Sequence, residues 1–371
     1  MSRIRDRLTR CLLVLPLAAV AACGSTGGQQ PAPGASTAPV KVAGTVIGTA
    51  TSTNEAQVVV PDPVAAAWRG LGGHGSGVEL VSVSGDAKAA RTPFDLTTQP
   101  DQAAGRVAAD LNGDAAQADG RSALAGLDAV SSPAGSPVWV FSPLLDTTGA
   151  LDFDQLAFDT SPATVVKAMK KQGQLPKLKG RDVTFVVTPA AGAQKKLSRL
   201  QVGYQRAVWE DVARAGGAKR VTFYDGTGTG AGTGTISPVP VPDPNDAIKP
   251  VGSGPTRTCT LPAPALFVAD QPTLIDKAAT RRELKGCLGS LASSTKITVE
   301  GHTAGVAGAD NTFAKNLSTQ RATEVAALLK ELDVPARNIV KVAGYGSEKP
   351  LVQPASSPKN RAVVVTFSTT G

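Results

Sequence analysis

The sequence predicts an α/β and α+β chain of two domains, the first a three-layer α/β domain with a mainly parallel sheet. Three observations carry that expectation. At 371 residues the chain is longer than one ordinary hydrophobic core. Hydrophobic residues make up 42% and charged residues 18%, a balance that excludes a wholly disordered chain. Between residues 41 and 225, strand-like runs alternate with helical stretches, the pattern of strands joined by crossover helices. After the signal-like start no apolar run reaches spanning length, which excludes a polytopic membrane protein.

Residues 1–22 read as an export signal, with Arg3, Arg5, Arg7 and Arg10 ahead of a short apolar stretch from Leu12 to Ala22. The stretch ends in Val20-Ala21-Ala22-Cys23-Gly24, which resembles a bacterial lipobox. That resemblance implies a lipoprotein in which Cys23 is diacylated, for example with palmitate, and becomes amino-terminal. Each buried lipid CH₂ adds roughly 0.8 kcal/mol, so two or three chains hold a protein at a membrane. A flexible tether over 23–40 follows. In a double-membrane cell, Gly24 rather than Asp after the Cys favours outer-membrane sorting over retention at the cell membrane.

The next elements are strands over 42–49 and 77–83, a helix near 62–71, one long helical stretch near 100–129, and a strand over 138–142. Helices near 161–173 and 194–215 and strands over 182–188 and 220–224 complete the 41–225 domain. Trp139 in an apolar strand and Trp209 on a helical stripe read as core.

Ligands in such sheets sit at the carboxyl ends of strands. The first strand ends in Thr49-Ala50-Thr51-Ser52-Thr53, which resembles the metal loop of von Willebrand factor A-like domains with Thr49 in the place of the usual Asp. A hard divalent cation loses its best ligand there, and Asp146 alone does not restore one. The domain therefore reads as von Willebrand factor A-like or Rossmann-like, with no metal and no cofactor. The segment Leu175–Gly217 also resembles part of lipid-anchored, two-domain proteins of high-GC Gram-positive bacteria.

Residues 226–256 form a Gly/Thr/Pro-rich linker, expected to be flexible in its Gly-Thr half and extended in its Pro-rich half. The Gly-Thr run lacks a phosphate-loop pattern. Enzyme signatures are absent: His74 lies in a glycine-rich turn, and neither a nucleophile elbow nor a Cys/His cluster occurs. The basic residues Lys167, Lys170, Lys171, Lys177, Lys179 and Arg181 read as a solvated face, without the aromatics that stack on bases.

Cys11 leaves with the signal and Cys23 takes lipid, so Cys259 and Cys287 remain in an oxidising setting, where a disulfide is expected and two buried thiols are the alternative. Closing that loop stabilises by roughly 3–4 kcal/mol in the chain-entropy model.

Residues 257–371 carry Phe267-Val268-Ala269-Asp270-Gln271-Pro272, Ile297-Thr298-Val299-Glu300-Gly301-His302-Thr303, Leu317-Ser318-Thr319-Gln320-Arg321-Ala322, Gly344-Tyr345-Gly346 and Asn360-Arg361. Their order and spacing resemble an OmpA-like domain, the peptidoglycan-associated module shared with Pal and MotB proteins. The resemblance implies a β-α-β-α-β-β sandwich that binds the diaminopimelate stem peptide of peptidoglycan without covalent change. The residues it brings to the site are His302, Thr303, Arg321, Asn360 and Arg361. Where the family has Asp after Gly-His-Thr, this chain has Ala304, and Asp310 in the following loop is the candidate replacement. Ser318 reads as a helix N-cap with Arg321 three residues in. A cation placed there against the helix dipole suits a carboxylate ligand.

The formal charge of +8 divides unevenly. Residues 1–22 hold +3, residues 23–256 balance at 20 basic and 20 acidic, and residues 257–371 hold 14 basic against 9 acidic. The reading is a non-enzymatic, lipid-anchored envelope protein that ties membrane to wall, with no nucleic-acid partner. The alternative is an envelope module that binds a ligand or protein through residues 41–225, its peptidoglycan site decayed.

Overall fold

The first sheet is built from β1 (Lys41–Thr49), β2 (Ser76–Val83), β3 (Ala89–Phe94), β4 (Val138–Ser142), β5 (Asp182–Val187) and β6 (Arg220–Asp225) in the order β3-β2-β1-β4-β5-β6. The computed structural model describes residues 40–85, 88–243, 248, 250–252, 256–289, 291–305 and 311–369. Cys23 and Asp310 therefore lie outside the described residues. All neighbours in this sheet run parallel except β3, which pairs antiparallel with β2 at the edge. This is the doubly wound strand order with its outermost strand reversed.

Side chains alternate between two cores, as the period of two in a strand requires. Val46, Trp139, Phe141 and Val186 face α1 (Asp62–Gly73) and α2 (Ala103–Gly113). Ile47, Val138, Val140, Val183 and Phe185 face α3 (Ala123–Asp128), α5 (Pro162–Gln172) and α6 (Arg199–Ala215). The three expected layers are present. Trp209 on α6 is fully buried, and its indole N–H donates to the Leu144 carbonyl at 2.9 Å.

Four local expectations change. The stretch near 100–129 is two helices, because the chain turns between Asp114 and Ser122 and Ser122 caps α3. Helix α6 starts at Arg199, not at 194: Ser198 and Gln201 form a capping box, which leaves Leu197 packed outside the helix and Leu200 exposed. Strand β3, not among the strands expected from the sequence, is mostly exposed, and its Ala89-Ala90-Arg91-Thr92-Pro93-Phe94 run gives no apolar–polar alternation to read. Arg181 is buried, not solvated, and donates to Ser132 Oγ at 2.9 Å and to the Ser136 carbonyl at 3.3 Å.

The segment after β6 is a packed strap. Its Gly-Thr half bridges Ala231 to Ala56 and Gly234 to Ala116, while Thr53 N–H donates to Gly234 O at 3.2 Å. Ile236 and Val239 are buried, held by Asn54 and Gln194 side chains. Over 226–243, backbone donors on the carboxyl edge of the first sheet find partners in this segment.

The second sheet contains β7 (Pro250–Val251), β8 (Thr256–Pro262), β9 (Thr295–His302), β10 (Ile339–Gly344) and β11 (Ala362–Thr369), in the order β10-β9-β11-β8-β7. β9 and β10 are parallel; β11 is antiparallel to both β8 and β9. With α7 (Ala263–Leu266), α8 (Lys277–Leu288) and α9 (Asn311–Glu331), β8 to β11 realise the expected β-α-β-α-β-β sandwich. Leu284 and Leu288 of α8 and Val325, Leu328 and Leu329 of α9 pack on Val299 and Val365. Cys259 on β8 and Cys287 on α8 form a disulfide, with Cα atoms 6.4 Å apart. No helix among the described residues is long and apolar enough to cross a membrane.

Candidate ligand-binding site

Helix α9 sets the site, and it begins earlier than its sequence suggests. It runs from Asn311, so Ser318 is interior and not an N-cap, and Arg321 lies in the third turn. The dipole argument therefore does not apply to Arg321, since the macrodipole acts within the first turn. Ser318 is satisfied in another way: its hydroxyl donates to the Lys315 carbonyl at 2.9 Å and accepts Gly346 N–H at 2.9 Å. Gly301 and Gly344 allow the close approach, since a Cβ at Gly301 would lie 2.0 Å from Ser318 O and one at Gly344 2.2 Å from Thr319 N.

Arg321 is 1% exposed and grips a carboxylate. Nη2 reaches Asp159 Oδ1 at 2.7 Å and Nη1 reaches Asp159 Oδ2 at 3.0 Å, a bidentate fork. Nε donates to Gln271 O at 2.9 Å, Nη2 also donates to Val268 O at 3.3 Å, and the guanidinium lies 5.1 Å over the Phe267 ring. Asp159 comes from the loop between α4 (Phe153–Leu156) and α5. Burial pushes its carboxyl up, and the Arg321 charge pulls against that shift. Arg361, also buried, donates to the Leu156 carbonyl at 3.2 Å at the end of α4.

His302, Thr303 and Asn360 make a second group around the loop from Gly346 to Ala355. Thr303 N–H donates to Gly346 O at 2.9 Å, and His302 Nδ1 lies 2.8 Å from Lys349 O. A carbonyl only accepts, so Nδ1 carries the proton. Burial pushes the imidazole pKa down, which keeps the ring neutral and leaves Nε2 a bare acceptor. Among the described residues, His302 Nε2 and Thr303 Oγ1 are buried without a hydrogen-bond partner. Asn360, fully buried, donates to the Val352, Pro354 and Ala355 carbonyls and accepts Val352 N–H. It shapes the loop.

Of the residues expected at the site, Arg321 and Arg361 thus meet on the Asp152–Ser161 side, and His302, Thr303 and Asn360 on the Gly346–Ala355 side. Asp159 is the residue that sequence reasoning missed. It stands 162 positions from Arg321, and no periodicity links residues so far apart.

On the first sheet, the hydroxyl-rich end of β1 is filled by protein groups. Thr49 Oγ1 donates to Ser142 Oγ at 3.2 Å and Thr51 Oγ1 to the Asp114 carbonyl at 3.1 Å. Ser52 donates through N–H and Oγ to Glu55 Oε1, which also takes Arg121. Asp146, fully buried, accepts the N–H groups of Ala123 at 2.8 Å and Leu124 at 3.0 Å, and burial pushes its pKa up to about 7. Among the described residues no group of three or more His, Cys, Asp or Glu side chains is placed to hold a metal ion. A cavity of about 240 Å³ lies at the carboxyl ends of β4, β5 and β6, lined in part by Leu145, Leu197 and Val202 with Lys196 and Arg206.

The sandwich topology with this pairing of motifs defines a class. Residues 266–363 form an OmpA family domain. Among solved structures, the periplasmic domain of MotB from Helicobacter pylori is 20% identical, with 34% of this chain and 83% of that one covered and a TM-score of 0.29. The cell wall anchor of the T6SS from Pseudomonas aeruginosa is 19% identical, covering 34% and 90%, TM-score 0.29. The OmpA-like domain of FopA1 from Francisella tularensis is 23% identical, covering 33% and 79%, TM-score 0.27. No curated protein matches the sequence. The OmpA family domain supports a peptidoglycan-associated role in the cell envelope.

Proposed function

We propose that this protein is a lipid-anchored envelope tether that binds the diaminopimelate stem peptide of peptidoglycan non-covalently through residues 257–371, with Cys23 as the lipid attachment and residues 41–225 as a separate α/β module. The observation that carries the reading is the OmpA family domain at 266–363. Three features support it. Arg321 has the bidentate geometry a ligand carboxylate requires. His302 Nε2 is a buried acceptor without a partner among the described residues, suited to an N–H donor, where Ala304 offers no carboxylate. The 257–371 segment holds the whole excess of positive charge outside the signal, which suits an anionic wall. Two weak attachments, lipid and wall, reinforce each other through effective concentration. No covalent chemistry is involved.

The test is co-sedimentation of the mature chain with diaminopimelate-containing sacculi, with elution by the free stem peptide. Specific, eluted retention that falls at least tenfold in Arg321→Ala is the expected outcome. Retention unchanged by Arg321→Ala removes the proposed site.

A second reading assigns the function to the α/β module, with the wall site decayed. The cavity at the carboxyl ends of β4 to β6 and the loss of an acidic side chain at Ala304 favour it. Absence of sacculus binding in every variant, together with a partner captured by residues 41–225, decides for it.

A further inference from the structure

The carboxylate on Arg321 comes from the chain itself, and the way it is delivered is unusual. Ala157 (φ 48°) and Phe158 (φ 58°) are consecutive non-glycine residues in the left-handed region, immediately before Asp159. Side chains with a Cβ rarely adopt that conformation, and two in a row are held only where surrounding contacts over-determine them. Those contacts are present: Phe158 packs on Tyr204 at 5.6 Å, and Tyr204 donates to the Thr160 carbonyl at 2.7 Å. Across the junction Asp270 is also left-handed (φ 54°). Its N–H donates to Asp159 O at 3.1 Å, and its carboxylate accepts Ser161 N–H at 2.9 Å. Arg361 adds a grip on the end of α4. The segment from Gln155 to Ser161 is therefore clasped at four points by the OmpA family domain, with its one carboxylate seated in the guanidinium fork.

From this geometry we infer that Asp159 is an intramolecular ligand that occupies Arg321 and latches the wall site closed. A stem-peptide carboxylate binds only when the Gln155–Ser161 segment leaves. The inference rests on the peptidoglycan reading above, in which Arg321 takes the ligand carboxylate. A tethered carboxylate competes at a high effective concentration. The apparent dissociation constant of the free ligand is raised by the inverse of the open fraction, so a site open about 1% of the time binds about a hundredfold more weakly. The backbone strain before Asp159 favours release, which makes the latch reversible.

The experiment uses the mature full-length chain as wild type, Asp159→Ala, Asp159→Asn, Arg321→Ala and the Asp159→Ala/Arg321→Ala double variant. Each is titrated with a diaminopimelate-containing stem peptide and with sacculi. Asp159→Asn keeps the shape of the segment without its charge, so a defect in Asp159→Ala packing does not decide the outcome. Thermal unfolding of each variant confirms that it is folded. At least tenfold tighter binding by both Asp159 variants, abolished in the double variant, is expected. If wild type binds as tightly as the Asp159 variants and Arg321→Ala weakens it, the wall reading stands and the latch is wrong. If no variant binds, Arg321 and Asp159 are a fixed structural tie, and both the wall reading and the latch fall.

Discussion

Glu55 and Arg121 form a buried ion pair at the carboxyl edge of the first sheet, Oε1 to Nη2 at 2.9 Å, with each side chain 3% exposed. Glu55 gathers the surrounding polar groups: it accepts from Ser52 N–H at 3.1 Å and from Thr188 Oγ1 at 3.3 Å as well. The loop after β1, the end of the α2–α3 connection and the end of β5 are thereby tied to one carboxylate.

Removing one member of such a pair leaves the other charged and buried. Glu55→Ala is expected to destabilise the fold by about 3–5 kcal/mol in urea unfolding. Glu55→Gln, which keeps the acceptor oxygen, is expected to lose less. A loss under about 1 kcal/mol for Glu55→Ala would show that water reaches Arg121.

The strap makes a second prediction. A Cβ at Gly228 would lie 1.7 Å from the Gln57 carbonyl, a clash with backbone that no rotamer relieves. Gly228→Ala is expected to lift residues 226–243 from the sheet edge and to raise amide exchange there at least tenfold. Gly203, inside α6, has open space around its Cβ position. Gly203→Ala is expected to stabilise by up to about 1 kcal/mol through helix propensity. Equal exchange in wild type and Gly228→Ala would mean that the strap is held elsewhere.

Asp146 gives the pH dependence. Its folded pKa, pushed up by burial to about 7, lies above the unfolded value of 3.8. Between those values the folded chain holds a proton that the unfolded chain has lost, so stability falls as pH rises through the window and levels off above about 7. Asp146→Asn is expected to flatten the profile between pH 4 and 7, measured as denaturation midpoint against pH. An unchanged slope would assign it to other carboxylates.

The legible parts of the fold were those with local, periodic signals. Val138–Ser142 matched its expected strand, because a near-continuous apolar run of that length belongs between two parallel neighbours. The Cys259–Cys287 disulfide matched the pairing expected on the reading of residues 1–22 as an export signal, which left two buried thiols as the alternative. The motifs resembling an OmpA-like domain pointed to residues 257–371, and the OmpA family domain lies at 266–363. What stayed hidden was long-range polar pairing. Arg181 sat among exposed lysines in sequence, yet it is buried on Ser132, 49 positions away. The capping role expected of Ser318 failed because Asn311 to Leu317 also form helix, and a Ser-x-x pattern does not say whether the preceding residues are helical too.

The sequence by itself determined most of the strands, their alternation with helices and the family to which residues 266–363 are similar, since these depend on burial periodicity and short motifs. Only the tertiary structure decided what Arg321 holds. A guanidinium on a helix reads the same whether it faces water, a wall peptide or an aspartate 162 residues away. The difference is fixed by the desolvated contact between the two sheets' domains, where a buried charge requires a partner and Asp159 supplies it.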